Sequence, residues 1–339
     1  MYTLKKEGSG LKKALAFIMC VLMLLSLCSC AVKQTNGSFD PAVLFEKPAP
    51  DITVTALKNG ASCALAYFCE ALNEKYGVEF AADKNTAGES LLSGKTEFLL
   101  CGVPEAARLY NETGGGVQIL CACAFDGLYL VSKNDISSVS DLDGEKIAVS
   151  PAVGFAESIT KYILSANGLT ADEDYEFSYY ASEKDIADAL NNGSAQTAVL
   201  AEPYLSSALA ADGVTVALNL GEEFASTKDN RGSKIITGCV VAKREYVLNN
   251  PDIISDFLED MKAACEYIAT DSKAPQALAD SGFFADRRSA EIAIPHCGTS
   301  FMRGYDMRVQ VSRNVAAVYE INPESLGGDL PDDGFCYLL

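Results

Sequence analysis

Few side chains in this sequence could carry out acid–base or nucleophilic chemistry. His296 is the only histidine among 339 residues, so a Ser-His-Asp or Cys-His mechanism would have to use it. It stands beside Cys297 in a predicted Pro-His-Cys-Gly turn, a place more typical of packing than of catalysis. The acidic pairs Glu222-Glu223 and Asp332-Asp333 fall in predicted loops, where carboxylates usually serve as solvated charge. The sequence therefore predicts a protein that is not an enzyme and needs no cofactor.

The cysteines offer the other reactive groups. The chain has 12, and most of those after residue 60 lie inside apolar runs, where a thiol behaves as a small core side chain. Cys121 and Cys123 are separated by a single residue, whereas zinc and redox pairs usually have a two-residue gap, and no second cluster or nearby histidine completes a ligand set. We therefore predict buried free thiols and no metal site. The sequence leaves a disulfide open but indicates no pairing.

The amino terminus has the parts of an export signal. Four lysines precede an apolar run from Ala14 to Leu25, which is too short to span a membrane comfortably, and Leu27-Cys28-Ser29-Cys30 follows. This segment resembles a bacterial lipoprotein signal peptide, which implies cleavage after residue 29 and a diacylglyceryl group on Cys30. An uncleaved anchor helix is the alternative, and the chain is exported in either case. Residues 31–50 are polar and lack periodicity, so they indicate a flexible tether.

The charge of the exported part excludes some partners. Residues 30–339 carry 23 basic and 45 acidic side chains, a net charge of about −22. Such a surface repels nucleic acid and the anionic face of a membrane, so neither is expected to bind it. The length allows one large or two medium domains.

The elements that position these side chains follow a regular order. From Asp51 onward, short apolar runs alternate with helical patterns, and most runs end in a loop of small or polar residues. The stretch Asp141–Ile159 shows the pattern most clearly, with a strand at Lys146–Val149, a Ser-Pro-Gly loop and then a helix. This alternation predicts an α/β fold with mainly parallel sheets. The run Ile235–Ala242 is a second candidate for a passage between two lobes.

Several motifs together carry a family resemblance. In chain order they are the lipobox, SVSDLDGEKIAVSP, Leu200-Ala201-Glu202-Pro203, TGCVVAKREYVLNNPDIISDFL, AIPHCGTSFMRG and INPESLGGDLPDDGF. This order resembles the lipoprotein substrate-binding subunits of ABC importers, and more narrowly the group related to sulfonate, nitrate and thiamine-precursor binding proteins. The resemblance covers essentially the whole mature chain.

The resemblance implies the type 2 periplasmic-binding-protein fold. That fold has two α/β lobes, each a mostly parallel sheet flanked by helices, and two interlobe crossovers. We expect hinges at Val149–Pro151 and near Thr237-Gly238. The expected division is a signal peptide at 1–29, the lipidated cysteine and tether at 30–50, a first lobe of 51–148 with 239–339, and a second lobe of 149–238.

The implied function is solute capture outside the cytoplasm. We expect a monomeric, lipid-anchored binding subunit on the outer face of the cell membrane, which delivers a small molecule to the permease and ATPase of an ABC importer. The sequence has no Walker loop, so ATP hydrolysis would belong to another subunit. Two alternatives stay open. A ligand sensor for a signalling partner would show the same motifs, and a fungal pyrimidine synthase shares the fold, although that enzyme works in the cytosol.

We predict that the strand-end loops line the ligand cleft. The candidate ligand-binding residues are Asn59, Ser62, Gly102 and Phe125 in the first lobe, Ser150, Gly154, Glu202 and Tyr204 in the second, and Thr237 at the return crossing. Family members often have an aromatic or Pro-Gly-rich first loop, and this chain has Lys58–Ser62 there, so the ligand is not fixed by the motif. A carboxylate at Glu202 favours a neutral or cationic heterocycle, such as a thiamine-precursor pyrimidine, over a sulfonate or nitrate.

Overall fold

The computed structural model describes residues 50–151 and 154–338. The predictions for the signal peptide, Cys30 and most of the tether lie outside these residues. The described residues contain eleven strands, which are β1 (Ile52–Ala56), β2 (Tyr76–Phe80), β3 (Phe98–Cys101), β4 (Val117–Phe125), β5 (Tyr129–Ser132), β6 (Lys146–Val149), β7 (Glu176–Tyr179), β8 (Thr197–Leu200), β9 (Thr215–Asn219), β10 (Ile236–Lys243) and β11 (Thr299–Met302).

Helices fill most of the connections between these strands. Over the same residues they are α1 (Leu65–Ala71), α2 (Lys84–Ser93), α3 (Val103–Glu112), α4 (Gly154–Ala166), α5 (Glu183–Asn192), α6 (Tyr204–Leu209), α7 (Leu220–Ser226), α8 (Arg244–Asn249), α9 (Pro251–Thr270), α10 (Ala274–Asp280), α11 (Arg287–Cys297) and α12 (Gly304–Ile321).

The strands form two sheets, so the predicted two-sheet α/β architecture is confirmed. One sheet has six strands in the order β11-β4-β10-β3-β1-β2, and the other has five in the order β7-β6-β8-β5-β9. The pairs made by β1 and β6 are parallel, as in βαβ units, whereas β5, β10 and β11 run antiparallel to their neighbours. Both sheets are therefore mixed and not mainly parallel as predicted, because β5 and β10 each enter their sheet from the other one.

The chain passes between the sheets twice, once from β4 to β5 and once from β9 back to β10. Asp126 lies in the first passage and Ile235 in the second. The Ile235 N–H donates to Asp126 Oδ1 at 2.8 Å, and the Asp126 N–H donates to the Ile235 carbonyl at 2.9 Å. The two predicted crossovers are therefore present and are hydrogen-bonded side by side.

The first passage lies earlier in the chain than predicted. β5 and most of β6 fall within residues 51–148, which the sequence assigned to the first lobe, but both strands belong to the five-stranded sheet. Val149 pairs with Tyr179 inside that sheet, so the chain does not change sheets at the predicted hinge, Val149–Pro151. Asp126-Gly127 has the composition of a hairpin turn, but Asp126 adopts a φ of 55° and directs the chain to the other sheet. The return passage ends just before Thr237-Gly238, close to its predicted place.

The end of α11 is fixed by an unusually close approach to β4. Gly298 follows the helix with a φ of 61°, and a Cβ atom at this position would lie 1.6 Å from the Phe125 carbonyl oxygen. The Gly298 carbonyl accepts a hydrogen bond from the Phe125 N–H at 2.9 Å. Because only glycine fits here, the sequence holds the last helical residues, His296 and Cys297, beside the first passage between the sheets.

Apolar side chains pack on both faces of the two sheets. In the six-stranded sheet, Phe98 of β3 stacks on Phe257 of α9 with ring centroids 3.8 Å apart. In the five-stranded sheet, buried side chains of α5 and α6 cover one face, and Ile159 and Ile163 of α4 belong to the cluster on the other. That second cluster also includes side chains of β3 and β4, so the apolar core is continuous between the sheets.

Two elements differ from the sequence expectation. Residues 221–232 were predicted to be a charged loop, but α7 begins at Leu220, where the Asn219 side chain accepts a hydrogen bond from the Gly221 N–H, and Phe224 is buried. β11 was not predicted, because its sequence, TSFM, begins with two polar residues and forms no apolar run. Within residues 50–151 and 154–338, no helix has the length and apolar character needed to cross a membrane.

Candidate ligand-binding cleft

A cavity of about 390 Å³ lies between the two sheets. The loops after β1, β3 and β8 supply Asn59, Gly102 and Glu202 to its wall, and α11 supplies His296. A smaller cavity of about 170 Å³ lies between α12 and the carboxyl-terminal segment, without any contribution from the five-stranded sheet. The larger cavity has the size and the two-sided lining expected of a small-molecule site.

The loop after β1 is a tight turn held by Ser62. Ser62 is fully buried, and its hydroxyl donates to the Leu57 carbonyl at 2.6 Å and accepts a hydrogen bond from the Asn59 N–H at 3.2 Å. These bonds fold the turn so that Asn59, Gly60 and Ala61 face the cavity while Ser62 points away from it. Ser62 therefore positions this part of the wall and does not line it.

Glu202 connects the two sides of the cavity through its backbone. Its carbonyl accepts a hydrogen bond from the Gly60 N–H at 3.0 Å. A Cβ atom on Gly60 would lie 3.0 Å from Glu202 Cβ and 3.2 Å from its carbonyl oxygen, which is tighter than an ordinary side-chain contact. Glycine at position 60 is thus what allows the turn after β1 and the loop after β8 to touch.

The Glu202 side chain makes a second connection. Its carboxylate has no solvent exposure, and Oε1 lies 3.1 Å from His296 Nδ1 and accepts the Ser206 hydroxyl at 2.8 Å. The Ser206 N–H donates to Oε2 at 3.2 Å. The His296 ring also packs edge-on against Tyr129 of β5, with ring centroids 5.4 Å apart. His296 therefore contacts the five-stranded sheet at two points.

The remaining charges at the cavity wall come from α2, α3 and α5. Arg108 forms ion pairs with Glu105 and with Glu112 on the same helix. Lys84, in the first turn of α2, is exposed. Burial raises the pKa of Glu183 to about 7, although the Ala201 N–H that it accepts at 3.0 Å acts in the opposite direction. Close to neutral pH, Glu183 is therefore present in both its neutral and its charged form.

One hydroxyl at the wall lacks a partner. Thr237 lines the cavity, and its Oγ1 is buried and forms no hydrogen bond within the part of the chain that the structure describes. Buried polar groups in proteins nearly always form hydrogen bonds. The Thr237 hydroxyl could therefore obtain its missing hydrogen bond from a ligand in the cavity.

Comparison with known proteins identifies the family. The family described as the periplasmic substrate-binding protein of a phosphonate ABC transporter matches residues 48–236, more than half of the chain. The chain belongs to this family. It is the extracytoplasmic substrate-binding component of an ABC importer for small molecules, and its family is non-enzymatic, as the sequence analysis predicted.

Solved structures support the fold of this binding protein. An ABC transporter protein from Parabacteroides distasonis has a TM-score of 0.71 and 23% identity, over 84% of this chain and 98% of that one. The aliphatic sulphonate binding protein SsuA from Escherichia coli has a TM-score of 0.63 and 17% identity, over 79% and 86%. The alkanesulfonate-binding SsuA from Xanthomonas axonopodis pv. citri, bound to MOPS, has a TM-score of 0.62 and 14% identity, over 87% and 100%.

The cavity of the binding protein contains some of the predicted ligand residues and not others. Four of them line it, namely Asn59, Gly102, Glu202 and Thr237. Four do not, namely Ser62, Phe125, Ser150 and Tyr204. The part played by Gly154 stays a prediction, and Phe155, the next residue, does line the cavity. Phe125 and Ser150 are buried in the core. Successive side chains of a strand point to opposite faces of the sheet, so a residue at a strand end can face the core and not the cavity. Ligand contact by the four lining residues stays a prediction.

The sequence analysis missed several residues of the wall. Lys84 and Asn85 follow β2, so the rule that strand-end loops line the cleft would have found them if it had been applied to that strand. Arg108 lies in the second turn of α3 and gives no comparable signal. His296 and Cys297 were interpreted as packing residues, and their place at the wall depends on the Gly298 approach to β4, which no local pattern reveals.

Proposed function

We propose that this protein is the lipid-anchored, monomeric receptor of an ABC importer, and that it binds a small organic anion with a phosphonate or sulfonate group in the cavity between its sheets. Its two α/β lobes close around the ligand, and the closed protein delivers it to the permease and ATPase. We favour an anion because the positive charge of Lys84 at the cavity wall has no ion-pair partner among the described residues.

The carboxylates of the cavity wall already have partners within the chain. Glu105 is paired with Arg108, Glu202 is held by His296 and Ser206, and Glu183 has a pKa near neutrality. Lys84 forms no ion pair with any residue that the structure describes, so its charge remains available to a ligand. An anionic group at the mouth of the cavity would be attracted to this ammonium. A cation would find only carboxylates that already accept hydrogen bonds from the chain.

The reason for favouring a cationic heterocycle does not hold. That preference required a free carboxylate at Glu202, but both of its oxygens accept hydrogen bonds from other residues of the chain. Lys58 is the basic residue of the predicted first loop, but it does not line the cavity. Lys58 instead donates to the Ser281 carbonyl at 2.8 Å and lies over the Phe80 ring, while Lys84 and Arg108 line the cavity.

The wall is otherwise mostly apolar, which favours an organic ligand over an inorganic ion such as nitrate. Leu57, Leu100, Leu128 and Phe155 face the cavity from both sheets. A cavity of about 390 Å³ has room for an alkyl or aryl group beside the anionic head. The unpartnered Thr237 hydroxyl would then donate to an oxygen of that head or of a linking group.

Isothermal titration calorimetry tests this proposal with a series of alkyl phosphonates and sulfonates and, in parallel, aminopyrimidines. We expect an anion to bind, and Lys84→Ala to weaken its binding by about five- to tenfold, because one Coulombic contact is lost. Thr237→Val keeps the side-chain shape, and we expect a loss of about tenfold if its hydroxyl donates to the ligand. Lys262→Ala on α9, which does not line the cavity, serves as the charge control.

Tight binding of a pyrimidine, with no response to any phosphonate or sulfonate, would show that the charge argument is wrong. Anion binding that is equally weakened by Lys84→Ala and Lys262→Ala would mean that net charge matters and the cavity lysine does not. The delivery step is tested separately, by ligand uptake in cells that carry or lack the neighbouring permease.

A further inference from the structure

Two buried thiols from distant parts of the chain meet beside the cleft. Cys63 follows the turn after β1, and Cys297 is the last residue of α11. Their sulfur atoms lie 3.5 Å apart, and the two residues are separated by 234 positions in the sequence. A disulfide has a sulfur–sulfur distance of about 2.05 Å, so the pair would need to approach by about 1.5 Å to become covalent.

The two thiols differ in their access to the cavity. Cys297 lines the cavity, whereas Cys63 has no solvent exposure and lies behind it. A Cβ atom on Gly60 would lie 3.6 Å from the Cys297 sulfur, so this sulfur packs directly under the turn that forms part of the ligand wall. A small reagent that enters the cavity would therefore reach Cys297 first.

The hydrogen bonds of the pair give each thiol a different part in an exchange reaction. Cys63 donates to the Cys297 sulfur, and Cys297 donates to the Ala293 carbonyl at 3.3 Å. The contact with Cys297, together with burial, raises the pKa of the Cys63 thiol, so Cys63 keeps its proton. Cys297 lines the cavity and Cys63 lies behind it, so Cys297 is the attacking group and Cys63 the resolving one.

We propose that Cys63 and Cys297 form a redox-active dithiol that a small-molecule disulfide, entering through the ligand cleft, oxidises to an intramolecular disulfide. The Cys297 thiolate attacks one sulfur of the reagent, forms a mixed disulfide and releases the first thiolate. Cys63 then loses its proton and attacks the Cys297 sulfur of the mixed disulfide, which releases the second thiol. Two protein thiols are oxidised, and one reagent disulfide is reduced to two thiols.

A second thiol pair provides a comparison within the same cavity. Cys101 of β3 lines the cavity, and Cys239 of β10 lies directly opposite it in the antiparallel pair. The Cys239 thiol donates a hydrogen bond to the Cys101 carbonyl at 3.4 Å. A hydrogen bond with the Cys101 thiol, together with burial, raises the pKa of Cys239. Cys101 and Cys239 lie on paired strands, and the sheet sets their separation. Cys63 follows a turn and Cys297 ends a helix, so no strand pairing sets the distance between them.

The test treats the purified, folded protein with oxidised glutathione and maps its disulfides by mass spectrometry after digestion without reduction. We expect one Cys63–Cys297 cross-link, two fewer titratable thiols and no retained glutathione. Cys63→Ser should stop at a glutathione adduct on Cys297, and Cys297→Ser should not react. Cys101→Ser is the matched control and should oxidise as the wild type does.

Two results would overturn the proposal. One is a lack of reaction in folded protein under conditions in which urea-unfolded protein forms disulfides, which would show that both thiols are inert core groups. The other is a cross-link between Cys101 and Cys239 while Cys63 and Cys297 stay reduced. If a serine variant does not fold, the wild-type map still decides the question. The outcome is independent of which solute the cleft binds.

Discussion

The contact between His296 and Glu202 is expected to hold the two sides of the cleft together. It joins the end of α11 to the loop after β8, and the Glu202 carboxylate is fully buried, whereas the His296 side chain is 28% exposed. We expect His296→Ala to lower the free energy of unfolding, because it removes a hydrogen bond to a buried carboxylate that the Ser206 donors only partly replace.

The expected size follows from the geometry. A hydrogen bond to a charged group contributes about 1.5 to 3 kcal/mol, and the partial exposure of His296 places the value near the middle of that range, at about 2 kcal/mol. Loss of the ring contact with Tyr129 acts in the same direction. Because truncation includes this packing loss, the pair itself is better measured by a double-mutant cycle with His296→Ala and Glu202→Gln, for which we expect a coupling energy of about 1.5 kcal/mol.

The assay is equilibrium unfolding in urea, with the midpoint and slope compared across the four proteins of the cycle. The exposed pair Lys184–Asp188 on α5 serves as the control cycle, and its coupling should be indistinguishable from zero. A His296–Glu202 coupling below about 0.5 kcal/mol would be within ordinary additivity and would refute the idea that this contact joins the two sheets.

Three further predictions concern the turn, the acid and the anchor. Gly60→Val should destabilise the protein by about 1 to 3 kcal/mol in urea unfolding, because its side chain would overlap Glu202, whereas Gly77→Ala, whose Cβ meets nothing closer than 3.5 Å, should be tolerated. The folded-state pKa of Glu183, about 7 against an ordinary 4.5, means that its contribution to stability is present below pH 4.5 and is lost as the pH rises to 7. That loss is at most about 3 kcal/mol, and Glu183→Gln should flatten the pH profile of the unfolding free energy in this window. Cys30→Ser should move the protein from the membrane to the soluble fraction or leave it uncleaved, since two acyl chains are what stable attachment requires, and equal retention after a carbonate wash would contradict lipidation.

The sequence was informative where a signal is local. Apolar runs bounded by glycine or polar turns predicted most of the strands and the return passage near Thr237-Gly238, because burial in a sheet favours a continuous apolar run. It failed at Asp126, where a dipeptide typical of hairpins carries the chain to the other sheet. What decides that direction is the hydrogen bonding of Asp126 to Ile235, more than a hundred positions away, and no window of sequence contains both residues.

The candidate site shows the same division between local and distant information. Asn59, Gly102 and Glu202 end predicted strands and do line the cavity, because the ends of strands in a sheet meet at one edge. The role of His296 could not be predicted, because it depends on Gly298 packing against Phe125 and on the position of Glu202, 94 residues earlier. A single histidine in a sequence can be a surface residue, a packing residue or a functional one, and only its contact with Glu202 in the structure distinguishes these roles.

The two sides of the cleft are joined by contacts between residues of the chain, at Gly60–Glu202 and at His296–Glu202. In the closure that we propose, these bonds across the cavity would contribute part of the free energy of the closed form, and a ligand would add its extra contacts with that form. If His296→Ala weakens the closed form by about 2 kcal/mol and the open form then predominates, the apparent affinity for any ligand falls by up to about thirtyfold. This loss would occur without removal of a ligand contact, and it would be similar for every ligand in a series. A residue that touches the ligand, such as Lys84 in our proposal, should instead change the order of affinities within that series, so the two roles can be separated by calorimetry alone.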